Sequence, residues 1–212
     1  MESETVLEGS GLCGECRVGP TEFNWARGYG EYDGVLRHLI HLLKYAGMRP
    51  LARPLAERLA SLLAQAGPVD LIVPVPLHRR RRWSRGFNQA ELLAEALGRL
   101  SGLPVETSVL RRYRPTLSQT GLTREQRRQN VKGAFRAGHP GRIAGKNVAL
   151  VDDVITTGAT VDACAAVLKR AGAAGVVVLA IARARVRIGE LEPVQPTVPN
   201  RSPAREVSCG TA

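Results

Sequence analysis

Four apolar residues, two adjacent acids and a threonine-glycine turn follow one another at 148–160, VALVDDVITTGAT. Beyond Thr160 the residues Val161, Cys164, Ala165 and Leu168 share one helical face that ends near Gly172, and 176–182 (VVVLAIA) is a second apolar run. A strand, a turn, a helix and a strand at this spacing restrict the fold sharply. Strands joined by a crossover helix lie parallel, and continuous apolar strands are buried on both faces, so the expectation is an α/β chain with a mostly parallel central sheet flanked by helices.

The rest of the chain supplies more of the same units. Leu36, Leu39, Ile40 and Leu43 have the i, i+3, i+4, i+7 spacing of one helix face, and Leu55, Leu59, Leu62 and Leu63 mark a second helix ended near Gly67. A short apolar strand follows at 70–75 (DLIVPV), then a basic stretch at 78–86 (HRRRRWSRG) that reads as a loop, then a helix with Ala90, Leu93, Ala94 and Leu97 on one face. Residues 105–110 are a candidate strand. The segment 111–132 is polar, very basic and weakly periodic, and reads as a long loop, a candidate lid over a site. At the ends, 1–28 reads as an irregular N-terminal segment, 29–188 as the folded domain and 189–212 as a Pro-rich disordered tail.

Length and charge narrow the function classes. With 212 residues the chain is long enough for one domain with a sizeable core. No apolar run approaches the roughly 18 residues that span a bilayer, and the first residues are neither a basic start nor an apolar secretory segment, so a cytoplasmic protein with no membrane partner is expected. A net charge of +11 implies an anionic partner, either nucleic acid or a phosphate-rich small molecule.

The opening stretch favours phosphate. Ligands of parallel sheets bind at the carboxyl ends of strands, and 156–160 turns there into a helix N-terminus whose free N–H groups attract an anion. Gly158 lets the backbone approach closely, and the hydroxyls of Thr156, Thr157 and Thr160 add donors. Asp152 and Asp153, just before this cradle, suit neutral hydroxyls, and carboxylates there are compatible with an indirect Mg²⁺ role. The Lys and spacing of a P-loop are missing, which disfavours nucleoside triphosphate hydrolysis.

VALVDDVITTGAT resembles the phosphoribosyl-diphosphate (PRPP) motif of type I phosphoribosyltransferases. VPVPLHRRRRWSRGFNQA at 73–90, SQTGLTREQRRQNVKGAF at 118–135 and YDGVLRHLIHLLKYAG at 32–47 resemble the ComF (competence protein F) family within that superfamily, over roughly 13–185. The resemblance implies the type I phosphoribosyltransferase fold, with 111–128 as the hood or flexible loop whose basic side chains reach the diphosphate. It implies that Asp152 and Asp153 hold the ribose hydroxyls and that Thr156, Thr157, Gly158, Ala159 and Thr160 hold the 5-phosphate. Pro74, Val75, Pro76, Leu77 and Arg79 would lie against pyrophosphate, with substrate-bound magnesium. The activity implied is pentosyl transfer from PRPP to an acceptor that the sequence does not identify. The alternative is a non-catalytic module of the same fold acting in DNA uptake and processing, with single-stranded DNA or a competence-machinery protein as partner. A homodimer is left open.

Four cysteines are present. ComF-type proteins carry two C-x-x-C knuckles on a zinc ribbon, whereas Cys13 and Cys16 form one, an incomplete zinc site unless other ligands join. Cys164 falls on a helix core face and is expected to be an inert buried thiol, and Cys209 lies in the tail. Trp83 and Phe87 could stack on bases or anchor the basic stretch on the core. His38 and His41 are read as packing or capping residues rather than zinc ligands.

Overall fold

The computed structural model describes residues 21–114 and 124–184. Four parallel strands form the central sheet in the order β1-β6-β5-β2: β1 (Trp25–Glu31), β2 (Leu71–Pro74), β5 (Asn147–Ile155) and β6 (Gly175–Arg183). The expected parallel pairing of the two apolar runs is present, with Leu150 opposite Val178 and Asp152 opposite Ala180.

Both sheet faces are covered. Val148, Leu150, Val176 and Val178 pack against α6 (Ala159–Arg170) through Val161, Cys164 and Leu168. On the other face Ala149, Val151, Leu179 and Ile181 meet α1 (Gly34–Tyr45), α2 (Ala52–Leu63) and α4 (Gln89–Ser101) through Ile40, Leu43, Leu55, Leu59, Leu93 and Leu97. Burying each of the Val, Leu and Ile side chains among these contributes about 1.5–3 kcal/mol, so residues predicted from helical spacing are the ones that hold the layers together. Among the described residues no helix is long and apolar enough to cross a membrane.

Four parts of the chain differ from the sequence expectation. Residues 25–28, read as irregular, belong to β1, which runs across the expected boundary at 28/29; its glycines and charges hid a strand that exists by pairing with β6. The basic stretch is not a loop but a short helix, α3 (Arg79–Arg85). His78 caps its start by accepting from the Arg80 N–H, and Gly86 at φ 78° closes its end with an N–H to the Arg82 carbonyl. At 105–110, Val105 makes a single parallel bridge to Ile72, and the strand proper is β3 (Leu110–Arg112). The segment 111–132 is not one long loop either: β3 pairs antiparallel with β4 (Phe135–Ala137), and α5 (Arg124–Val131) lies between them. Residues 1–20 and 185–212, with Cys13, Cys16, Cys209 and the tail, lie outside the described residues, as do 115–123 of the expected lid.

Candidate functional site: a cavity at the ends of the parallel strands

A cavity of about 460 Å³ opens at the carboxyl ends of β5 and β2. One wall is the turn from β5 into α6. Gly158 sits there at φ 74°, a conformation that side chains resist, and caps α6 without any side-chain hydrogen bond, so the positive end of the helix dipole is not covered by a capping side chain. Thr156, Gly158 and Thr160 line the cavity. Ala159 is buried at the helix start, and the Thr157 Oγ1 is buried with no hydrogen-bond partner among the described residues.

The two acids have diverged in role. Asp153 is buried, and its Oδ2 lies 2.9 Å from the Lys44 Nζ of α1. Asp152 is half-buried and accepts the Asp153 N–H on Oδ1 at 2.8 Å. Burial pushes the Asp152 carboxyl up to about 7, and the Asp153 charge adds to the effect. At Lys44, burial opposes ionisation, but the Asp153 charge outweighs it and the net direction is upward. The site floor therefore presents one neutralised acid and one whose protonation is poised near neutrality.

The opposite wall is basic. Val75, Pro76 and Leu77 line the cavity, and Val75 is pinned from two sides: its N–H donates to the Val151 carbonyl at 2.9 Å and its carbonyl accepts from Asn88 Nδ2 at 3.1 Å. Asn88 also caps α4 by accepting the Ala90 N–H, so one buried amide ties this loop to a helix start. Arg81 and Arg85 of α3 and Arg112 of β3 complete the wall. Burial and then Arg81 push the Arg112 guanidinium down, which reflects how closely these cations converge. Pro74 ends β2, and Arg79 lines a separate depression on the outer side of α3.

Sequence reasoning thus named both acids, the threonine-glycine turn and the loop after β2, and missed Lys44, Arg112 and the particular arginines of α3. Lys44 carried a signal: it lies four residues after Ile40, on the buried face of α1, where a lysine needs an anionic partner. Arg112 carried one too, since it alternates with Leu110 along β3 and so shares its inward side. Cys164 is buried as expected, and burial pushes its thiol well up. Phe87 anchors on the core, whereas Trp83 is 91% exposed. His38 and His41 are exposed; His41 Nε2 lies 2.9 Å from the Tyr32 hydroxyl.

Residues 83–198 match the model of the phosphoribosyl transferase domain. The chain belongs to that family. Within it, the chain is a member of the competence protein F group. It is 37% identical to DNA utilization protein YhgH of Salmonella typhi over 81% of this chain and 77% of that one, and 37% identical to competence protein F of Haemophilus influenzae over 81% and 78%. Among solved structures it is similar to adenine phosphoribosyltransferase of Leishmania tarentolae, 14% identical over 72% of this chain and 77% of that one, with a TM-score of 0.43. The parallel sheet flanked by helices is the type I phosphoribosyltransferase fold of this family.

Proposed function

We propose that this phosphoribosyltransferase-family chain binds PRPP in the cavity at the end of β5 and transfers its phosphoribosyl group to an acceptor. The observation that carries the reading is the polarity of that one cavity: an uncapped helix start and threonine hydroxyls on one side, a half-buried carboxylate at the floor, and Arg81, Arg85 and Arg112 opposite. A donor with a phosphate at one end, a diol in the middle and a diphosphate at the other matches these in order. The turn at 156–160 would take the 5-phosphate through backbone N–H groups, and Asp152 would accept from a ribose hydroxyl. Asp153, held by Lys44, would shape the same floor.

In the transfer, the acceptor's electron pair forms a bond to the anomeric carbon, and the bond from that carbon to the diphosphate oxygen breaks with its pair leaving on diphosphate. The three arginines would stabilise that leaving charge, and a cavity closed from bulk water would protect the activated sugar from hydrolysis. The donor set fits Mg²⁺ in a limited way. Among the described residues no group of three or more His, Cys, Asp or Glu is assembled, so Asp152 with substrate oxygens would hold the ion, which is how Mg²⁺ is commonly bound. When bound, it would supply charge neutralisation across the diphosphate.

Calorimetry tests the reading. With Mg²⁺ present, PRPP should bind and Asp152→Asn should weaken it at least tenfold; no binding, or binding indifferent to that change, overturns it. Pyrophosphate release with added acceptors would establish turnover.

A second reading has its own observation. On the outer face of α3 the exposed Trp83 stands among Arg79, Arg80 and Arg82, an aromatic ring with cations around it as single-stranded nucleic acid requires. The name of the Salmonella relative, DNA utilization protein, agrees with such a role. Single-stranded DNA affinity that falls steeply with salt and with Trp83→Ala would support it, and no binding at low salt removes it.

A further inference from the structure

The three cations opposite the threonine-glycine turn come from two short elements. α3 carries Arg81 and Arg85 and has no buried residue, and β3 carries Arg112 on a ribbon of two three-residue strands. A helix of seven residues is too short to stand on its own propensity and depends on ties to the rest of the fold. At its end α3 is tied twice to α4: Arg85 donates to Gln89 Oε1 at 2.6 Å, and Arg82 meets Glu91 at 2.9 Å. At its start the tie is His78. The imidazole Nδ1 accepts the Arg80 N–H at 3.3 Å, and the ring also hydrogen-bonds to the main chain of Tyr113, the residue after Arg112. One ring thus joins the start of α3 to the end of β3.

We infer that His78 is a positioning residue for the arginine wall, holding α3 and β3 so that Arg81, Arg85 and Arg112 act on one diphosphate, and that it does so only as the neutral imidazole. The inference rests on the donor reading above. A protonated ring carries N–H on both nitrogens, so Nδ1 can no longer accept from Arg80 and the cap is lost. Its charge would also meet Arg112 of β3 and Arg80 and Arg81 of α3, the cations that face it. Burial and then these cations push the imidazole below the ordinary histidine value, so the cap is complete at neutral pH and is lost as the pH falls. The sign is opposite to that of plain electrostatics. A positive charge added beside an anion site strengthens anion binding, whereas here protonation loosens the wall that the anion needs.

Calorimetric titration of the full chain with pyrophosphate, and separately with ribose 5-phosphate, tests this in the parent, His78→Ala and His78→Asn. Asparagine caps helices and gains no proton in this range. At pH 8, His78→Ala should bind pyrophosphate about fivefold more weakly than the parent, the equilibrium value of one cap, and His78→Asn should stay within about twofold. At pH 5 the parent should fall about fivefold or more below His78→Asn. Pyrophosphate and the other histidines gain protons over the same span, so the ratio of parent to His78→Asn at each pH is the quantity to read. Ribose 5-phosphate, whose place would be the turn at 156–160, should change by less than about twofold in both variants. A parent that binds pyrophosphate as tightly as His78→Asn at pH 5, or more tightly, would overturn the inference. So would a His78→Ala variant within about twofold of the parent at pH 8, or one that loses both ligands together, the mark of general unfolding. Failure of ribose 5-phosphate to bind the parent removes the donor reading, whereas failure of pyrophosphate alone removes the role of the wall and of His78 with it.

Discussion

Replacing Lys44 by methionine should be the most damaging single change at the site. The ammonium and the Asp153 carboxylate are 2.9 Å apart with 16% and 6% of their side chains exposed. At that separation their attraction is roughly 6 kcal/mol for an effective dielectric constant of about 20, and the cost of desolvating both ions cancels much of it. Lys44→Met removes the attraction but leaves the carboxylate in its dry place, at a cost of about 3–5 kcal/mol. For a chain of this size that lowers Tm by roughly 6–20 °C, at about 2–4 °C per kcal/mol. Removing both charges, Lys44→Met with Asp153→Leu, should return the chain to within about 1 kcal/mol of the parent. Urea unfolding of the parent, the two single variants and the double variant at pH 7.5 measures all four corners of the cycle. Because Lys44 is shifted upward, the pair should hold through neutral pH and be lost only above the ordinary lysine range. A Lys44→Met variant within about 1 kcal/mol of the parent, or a double variant no more stable than the single, would refute a buried ionic contact between α1 and β5.

Three further changes probe the cradle and the floor. Asp152 titrates near 7 in the folded chain and near 4 when unfolded, so the folded state holds an extra proton between those values and stability falls as pH rises across that window. Asp152→Asn should flatten this slope and stabilise the chain at pH 8 by on the order of 1–2 kcal/mol, less than the full shift implies because water enters the cavity; chemical denaturation at pH 5 and pH 8 checks it. The buried Thr157 hydroxyl has no hydrogen-bond partner among the described residues, so Thr157→Val should be neutral or stabilising by about 1 kcal/mol, and a clear drop in Tm would reveal a partner. Gly158→Ala meets nothing within 4 Å, so its cost should be that of the positive φ alone, about 1–2 kcal/mol by thermal unfolding, with any larger loss pointing to a steric contact.

What was legible in the sequence was whatever local chemistry decides. The unit of β5, turn and α6 could be read because its apolar run, its glycine and its helical face all favour one arrangement, and α1, α2 and α4 because their buried leucines recur at helical spacing. Where long-range pairing decides, the residues said little. β1, WARGYGE, has a glycine at every second position from Gly28 and exposed alternate residues, and it is a strand because β6 offers an open edge. In α3 the arginine run concealed two ordinary caps, His78 and Gly86, that close a helix of seven residues. β3 and β4 are three residues each and exist as a pair. The acids of the candidate site were visible, but the cations that differentiate them arrive from α1 and β3, far away in sequence, and no spacing rule connects them.

That difference bears on how the adjacent acids work together. A pair of carboxylates at a strand end, both free, would repel each other and would resist an anionic ligand. Here α1 delivers one ammonium to Asp153, so the floor carries less negative charge than its sequence suggests, while Asp152 keeps a proton within easy reach of neutral pH. A ligand with hydroxyls would favour the ionised form of Asp152 and release that proton on binding. Facing it, Arg81, Arg85 and Arg112 bring positive charge to the same cavity. The net field therefore runs from an almost balanced floor to a strongly cationic rim. On the proposed reading, a ligand with a phosphate at one end, a neutral diol and a diphosphate at the other would meet the helix start, the floor and the rim in turn.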